Sequence, residues 1–151
     1  MTPRYFEDFK PGDSFTYGDE LVTRESIIEF ARAYDPEPFH LDDAAARASI
    51  FGGLIASGLQ IAALWRKMNV AGFPGVVNEG SPGWDEVRWL APVRPGDRLT
   101  VTSRVLETRP LKSRPGIGLV RFLHSITDRE GAARMTITAN LFVRCRPAEG
   151  S

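Results

Sequence analysis

The chain has 151 residues, the size of one domain, and a chain of that length buries about two-thirds of its unfolded surface on folding. Apolar residues make up 42% and charged residues 25%, with 19 basic side chains balancing 19 acidic ones. That excludes a disordered chain and the net positive field that drives nonspecific binding to nucleic acid or anionic membrane.

The sole cysteine, Cys145, excludes an internal disulfide framework and a Cys-rich metal site, and it fits a reducing compartment. The N-terminal MTPRYFEDFKPGDSF has no apolar signal core, and no stretch reaches the roughly 18 consecutive apolar residues of a membrane span. The expectation is a cytoplasmic protein forming one domain over residues 1–151, with neither membrane nor nucleic acid as partner.

Pro11-Gly12-Asp13 marks a turn, followed by short strand pieces at 15–17 and 21–22 that are broken at Gly18. Thr23 caps a helix over 24–34, in which Ile27, Ile28, Phe30 and Ala31 recur at helical spacing. That helix stops at Asp35-Pro36-Glu37-Pro38, because a residue before proline is pushed out of the helical region. Asp42 caps a short Ala-rich helix over 43–48, which ends at Gly52-Gly53.

From Ser57 to about Val70 runs a helix that is apolar on most of its circumference, and such a helix is buried on nearly all sides. After Ala71-Gly72-Phe73-Pro74-Gly75 the period of the pattern changes from 3.6 to 2. Trp84 to Leu90 is one strand candidate, and three long alternating strands follow around Leu99–Val105, Val120–Ile126 and Met135–Val143. Asp128 to Gly131 forms the hairpin turn between the last two.

Helices in the first half and an antiparallel meander in the second predict an α+β domain, its sheet curled around one buried helix in the hotdog arrangement. A single-layer sheet has open edges, so association into a homodimer or a larger homo-oligomer through edge strands is expected.

Several kinds of chemistry are excluded by spacing. The aspartates have no calcium-loop pattern, His40 and His124 are too far apart for a zinc motif, and no Gly-rich phosphate loop joins a strand to a helix. Ala56-Ser57-Gly58 lacks the first glycine of a nucleophile elbow. The informative segment is Asp35-Pro36-Glu37-Pro38-Phe39-His40, where two prolines make a stiff link between a carboxylate and an imidazole. A carboxylate and an imidazole sharing one water are the minimum for acid-base work near neutral pH. The same residues also make a plain helix stop with His40 packed in a surface turn. In Phe51-Gly52-Gly53-Leu54-Ile55-Ala56-Ser57-Gly58, glycine leads into the apolar helix, whose free N–H groups could hold an oxyanion or could serve close packing alone.

Taken together, Asp35-x-Glu37-Pro38-x-His40, Phe51-x-x-x-Ile55-Ala56-Ser57-Gly58 and Pro92-Val93-x-Pro95-Gly96-Asp97 resemble the MaoC-like dehydratases, which include (R)-specific enoyl-CoA hydratases. Their motifs read D-x-N-P-x-H and F-x-x-x-I-x-H-G, and the likeness spans roughly residues 10 to 145. It implies a hotdog fold, a 2-enoyl-CoA substrate and reversible addition of water, with no metal and no cofactor beyond the coenzyme A that carries the substrate.

By that likeness Asp35 and His40 carry the catalytic dyad and the Gly58 N–H holds the thioester oxygen, while Phe51, Ile55, Ser57 and Glu37 are candidate substrate contacts. Glu37 stands in place of the asparagine and Ser57 in place of the histidine. Glu37 is expected to point away from Asp35, because two close carboxylates beside an oxyanion would oppose the charge that forms.

Arg66, Lys67, Arg109, Lys112 and Arg114 are candidates for coenzyme A phosphates, although solvated charge is the usual role of such residues. His124 reads as a core or interface histidine with a satisfied partner, and the tryptophans as core or acyl-pocket walls. A hotdog acyl-CoA thioesterase and a non-catalytic acyl-CoA-binding protein are the alternative functions, since fold alone does not settle function.

Overall fold

The computed structural model describes residues 1–150. Three helices, α1 (Arg24–Tyr34), α2 (Asp43–Ala48) and α3 (Gly58–Gly72), accompany five strands: β1 (Ser14–Leu21), β2 (Trp84–Trp89), β3 (Arg98–Pro110), β4 (Ile117–Thr127) and β5 (Ala133–Arg144). The strands form one antiparallel sheet in the order β1-β3-β4-β5-β2, so β1 and β2 are its edges.

The sheet wraps α3, the hotdog arrangement, because alternate residues of the long strands are apolar and turn to one face. Leu99, Val101, Ile126, Met135 and Ile137 are almost wholly buried, packed with Ile61, Trp65 and Met68 of α3. A second cluster of Phe9, Phe73, Val105, Val120, Phe122 and Val143 fills the other end of the sheet.

Thr23 and Asp42 cap α1 and α2 through their side chains, accepting from the N–H groups of Ser26 and Ala45. β1 is a single strand, not two broken pieces, and it absorbs Gly18 in a bulge between Tyr17 and Glu20. Gly18 has φ +85°, and a Cβ there would stand 2.5 Å from the Met68 sulfur, so the glycine serves the close approach of α3 to β1. α3 is also less enclosed than its composition predicts. Leu59 is 53% and Val70 57% exposed, and Arg66 and Lys67 lie on the same open flank, so one side of the helix is left uncovered in the single chain.

One arginine organises the end of the sheet where the site lies. Arg134 on β5 donates to Asp128 in the β4–β5 hairpin through Nε (3.0 Å) and Nη2 (2.8 Å), to Asp97 (3.2 Å), and to the Pro92 carbonyl. The loop it grips is tied in turn to the chain before α1, where the N–H of Val22 bonds the Asp97 carbonyl and that of Gly96 the Val22 carbonyl, both at 2.8 Å. Arg134, with the N–H of Ala132, holds the Asp128 carboxyl below the usual carboxylate range.

A lowered folded-state value adds stability above the unfolded value and loses it as pH falls through the folded one. Arg134→Met should therefore lower the unfolding midpoint at about pH 7, and the gap to wild type should narrow toward about pH 3, as calorimetry at a series of pH values would measure. A gap independent of pH would contradict this role.

Candidate active site

Asp35 closes α1. Its N–H donates to the Ala31 carbonyl (2.9 Å), and its φ of −152° leaves the helical region as a residue before proline must. The prolines then bring the chain through a single turn, Pro38–His40, which tucks His40 inside at 5% exposure.

Residues 54–57 run between this turn and the Pro92–Asp97 loop. The Ile55 N–H reaches the Phe39 carbonyl (3.4 Å) and the Ala56 N–H the Val93 carbonyl (2.8 Å). That places the Ile55 carbonyl 2.7 Å from His40 Nδ1. A carbonyl only accepts, so Nδ1 carries the hydrogen, and Nε2 stands 3.3 Å from Asp35 Oδ2.

Ser57 is fully buried and does two things. Its hydroxyl donates to the same Asp35 Oδ2 (2.6 Å), and its oxygen accepts the Leu59 N–H (3.2 Å) as the N-cap of α3. The next N–H, that of Gly58, has no acceptor among the described residues and lies at the positive end of the helix dipole. A Cβ on Gly58 would stand 2.3 Å from the Trp89 indole nitrogen, so the ring of β2 lies directly over this helix start only because the residue is glycine.

Asp35, His40, Phe51, Ile55, Gly58 and Trp89 all line one cavity of about 490 Å³, with Leu59, Ile61 and Leu90 widening its apolar wall. That volume is in the range of small-molecule sites. A carboxylate and an imidazole can act on one water there, beside an unpaired backbone donor.

Two residues expected at the substrate do not line this cavity. Ser57 lies behind it, holding Asp35, and Glu37 is exposed with its side chain in no hydrogen bond to the dyad. Arg109, Lys112 and Arg114 sit at the far end of the β3–β4 pair, where Pro110 faces Gly118, while the site adjoins the opposite end near Leu99 and Arg134. Within one chain they cannot serve a ligand at Asp35.

Trp89 and Leu90 are walls of the site, supplied by a short strand whose tryptophans read equally well as core. Arg94, which the sequence did not single out, fastens Phe51 by donating to its carbonyl at 2.5 Å. Among the described residues no group of three His, Cys, Asp or Glu side chains could hold a metal ion, and no helix is long and apolar enough to cross a membrane.

A sheet wound about one helix, with a carboxylate and an imidazole at that helix's N-terminus, defines a hotdog-fold protein. The model of the MaoC like domain matches residues 8–120, and the chain belongs to that family. The structure is similar to the MaoC-like dehydratase from Rhodospirillum rubrum, at 38% identity and a TM-score of 0.87 over 96% of this chain and 99% of that one. It is also similar to the unliganded (R)-hydratase PhaJ1 from Pseudomonas aeruginosa, at 25% identity and a TM-score of 0.72 over 94% and 86% of the two chains. The uncharacterized protein YdeM of Bacillus subtilis is 30% identical over 112 residues, 74% of this chain and 79% of its own.

Ser57→Ala removes both the donor to Asp35 and the cap of α3. A hydrogen bond to a charged group contributes about 1.5–3 kcal/mol and a cap about 1 kcal/mol, so urea unfolding should show a loss of about 2–4 kcal/mol. A loss below about 0.5 kcal/mol, the range of a neutral surface change, would show that the bond carries nothing.

Proposed function

We propose that this protein adds water reversibly to a 2-enoyl thioester of coenzyme A, giving the 3-hydroxyacyl thioester. The observation that supports it best is the meeting, in one cavity, of the Asp35–His40 pair and the unpaired Gly58 N–H. Membership of the MaoC-like family and the likeness to an (R)-hydratase support the same reaction class.

The reaction balances without an oxidant, a reductant or a metal. The water oxygen bonds to C3, the C2–C3 π electrons move toward the thioester carbonyl, and C2 gains a proton. His40 is held by the Ile55 carbonyl with Nε2 free to take a proton from water, and Asp35 has one oxygen committed to Ser57. The same pair then holds the proton that C2 receives. The enolate oxygen that forms between these steps is met by the Gly58 N–H, and one such donor lowers a barrier by about 2.7–4 kcal/mol. Phe51, Ile55 and Trp89 supply the apolar walls for the acyl group.

The homo-oligomer rests on the open flank. β2 is an edge strand whose Trp84 and Trp89 are 47% and 54% exposed, beside Leu90 at 52% and Leu59 on α3. An unpaired strand edge next to apolar surface is suited to a second copy of the chain, and sedimentation should show no monomer at assay concentrations.

Crotonyl-CoA tests the activity. Loss of the enoyl absorbance without release of free thiol is the expected result, and release of thiol would make the protein a thioesterase. Asp35→Asn and His40→Ala should each reduce turnover by about 100- to 10,000-fold with folding intact, as for other positioned acid-base groups. Glu37→Gln should change turnover less than about threefold, as expected of an exposed charge. An active double variant of Asp35 and His40 would remove the assignment.

A further inference from the structure

Trp89 does more at the Asp35–His40 cavity than close it. It is the last residue of β2, held in register by its pairing with Met135 of β5. The N–H of the next residue, Leu90, donates to the Arg134 carbonyl at 2.8 Å, so the strand end is tied to the arginine that grips the Pro92–Asp97 loop. The ring fixed there leans over the start of α3, and the atoms nearest Gly58 belong to its pyrrole edge. A Cβ on Gly58 would meet Nε1 at 2.3 Å, Cε2 at 2.4 Å and Cδ1 at 2.9 Å.

An indole nitrogen only donates, and inside a protein it ordinarily finds an acceptor. Trp89 Nε1 has none among the described residues. The helix start beside it is in the same condition. Ser57 satisfies three N–H groups, its hydroxyl taking that of Leu59 (3.2 Å) and its carbonyl those of Gln60 (3.0 Å) and Ile61 (3.2 Å), which leaves the Gly58 N–H unpaired in the first turn.

A carbon–carbon bond is about 1.5 Å long, so Nε1 stands within about 4 Å of the Gly58 Cα. One oxygen at the usual hydrogen-bond length of about 2.9 Å then has both nitrogens in reach. Two unpaired donors thus border one spot on the wall that Asp35 and His40 also line. A ligand that expels water from this wall and brings no acceptor leaves both donors unsatisfied, at a cost. A thioester brings one, because its carbonyl oxygen has two lone pairs.

We infer, on the thioester reading given above, that Trp89 is a further catalytic residue, whose Nε1–H binds the thioester oxygen together with the Gly58 N–H. When water adds at C3 the π electrons pass onto that oxygen, and when C2 is protonated they return to the carbonyl. The indole forms no covalent bond and gives up no proton. Both donors are in place before the charge develops, so their hold strengthens as the carbonyl becomes an enolate. Only the edge of the ring turned toward α3 takes part. The exposed remainder of the ring, with the free edge of β2, stays available to a second copy of the chain.

Crotonyl-CoA turnover and NMR of the indole N–H signals, both on the full chain, test this role. Trp89→Phe keeps an aromatic wall and removes the donor. It should lower kcat by about 10- to 100-fold and change KM less than about threefold, because the bond gains most of its strength in the transition state. In wild type, butyryl-CoA, which has the thioester and nothing to hydrate, should move the Trp89 indole proton downfield. S-butyl-CoA, the thioether without the carbonyl, should not. Unchanged kcat in Trp89→Phe would overturn the inference, as would an indole shift absent with both ligands or equal with the two. If sedimentation shows that Trp89→Phe no longer assembles as wild type does, the comparison of the two ligands in wild type decides alone. Release of thiol from crotonyl-CoA would remove the hydration reading and leave this one standing, since the oxyanion of hydrolysis needs the same two donors and the carbonyl-dependent shift should persist.

Discussion

The hydrogen bond from Ser57 to Asp35 joins the end of one helix to the start of another, across 22 residues of sequence. Nearly everything at the site depends on it. The serine that holds the carboxylate also caps α3, so the residue after it presents an N–H that the helix cannot use. Two residues before it, the Ile55 carbonyl fixes the imidazole. Four consecutive positions, 55 to 58, thus bring a carboxylate, an imidazole and an unpaired N–H together from one stretch of backbone.

That stretch is accurate because what surrounds it is rigid. The Ala56 N–H is bonded to the Pro92–Asp97 loop, the loop is gripped by Arg134, and Arg134 is paired with the β4–β5 hairpin. α3 cannot slide, since Gly18 and Gly72 let β1 press against it at distances a side chain would forbid. Fixed dipoles need no reorganisation when charge develops, which is what the proposed reaction asks of so small a donor set. The same helix carries a second polar group, Arg66 with Asn69, two turns further along, and the two ends of α3 line separate cavities.

What could be read in the sequence was what depends on neighbours in the chain. α1 stops where prolines forbid helical geometry, α2 starts at its aspartate cap, and the three long strands show in their alternation. The short, stiff link between Asp35 and His40 left two readings open, a pair or a plain helix stop with His40 in a surface turn, and only the resemblance to the family motif favoured the pair. Contacts between distant segments were not. Ser57 reads in sequence as the start of the apolar helix and a candidate substrate contact, and its bond to Asp35 exists only after α1 and α3 have docked. Arg134 sits at a polar position of an alternating strand, where an arginine is ordinarily solvated. The hydrogen bonds that run from Asn69 through Tyr17 and Ser103 to His124 draw on α3, β1, β3 and β4, and no single segment hints at them. The uncovered flank of α3 was hidden for a different reason, since composition cannot say on which side of a helix the sheet ends.

In the proposed reaction the Asp35–His40 pair handles both the attacking water and the proton that C2 receives, so both parts of water reach one face of the substrate. Incubation of the protein with crotonyl-CoA in heavy water, with the product followed by proton NMR, tests it most directly. One deuterium at C2 on the same face as the new C3 hydroxyl, with the thioester intact, is the expected result. Delivery to opposite faces would contradict it, as would free coenzyme A thiol with the enoyl group unchanged.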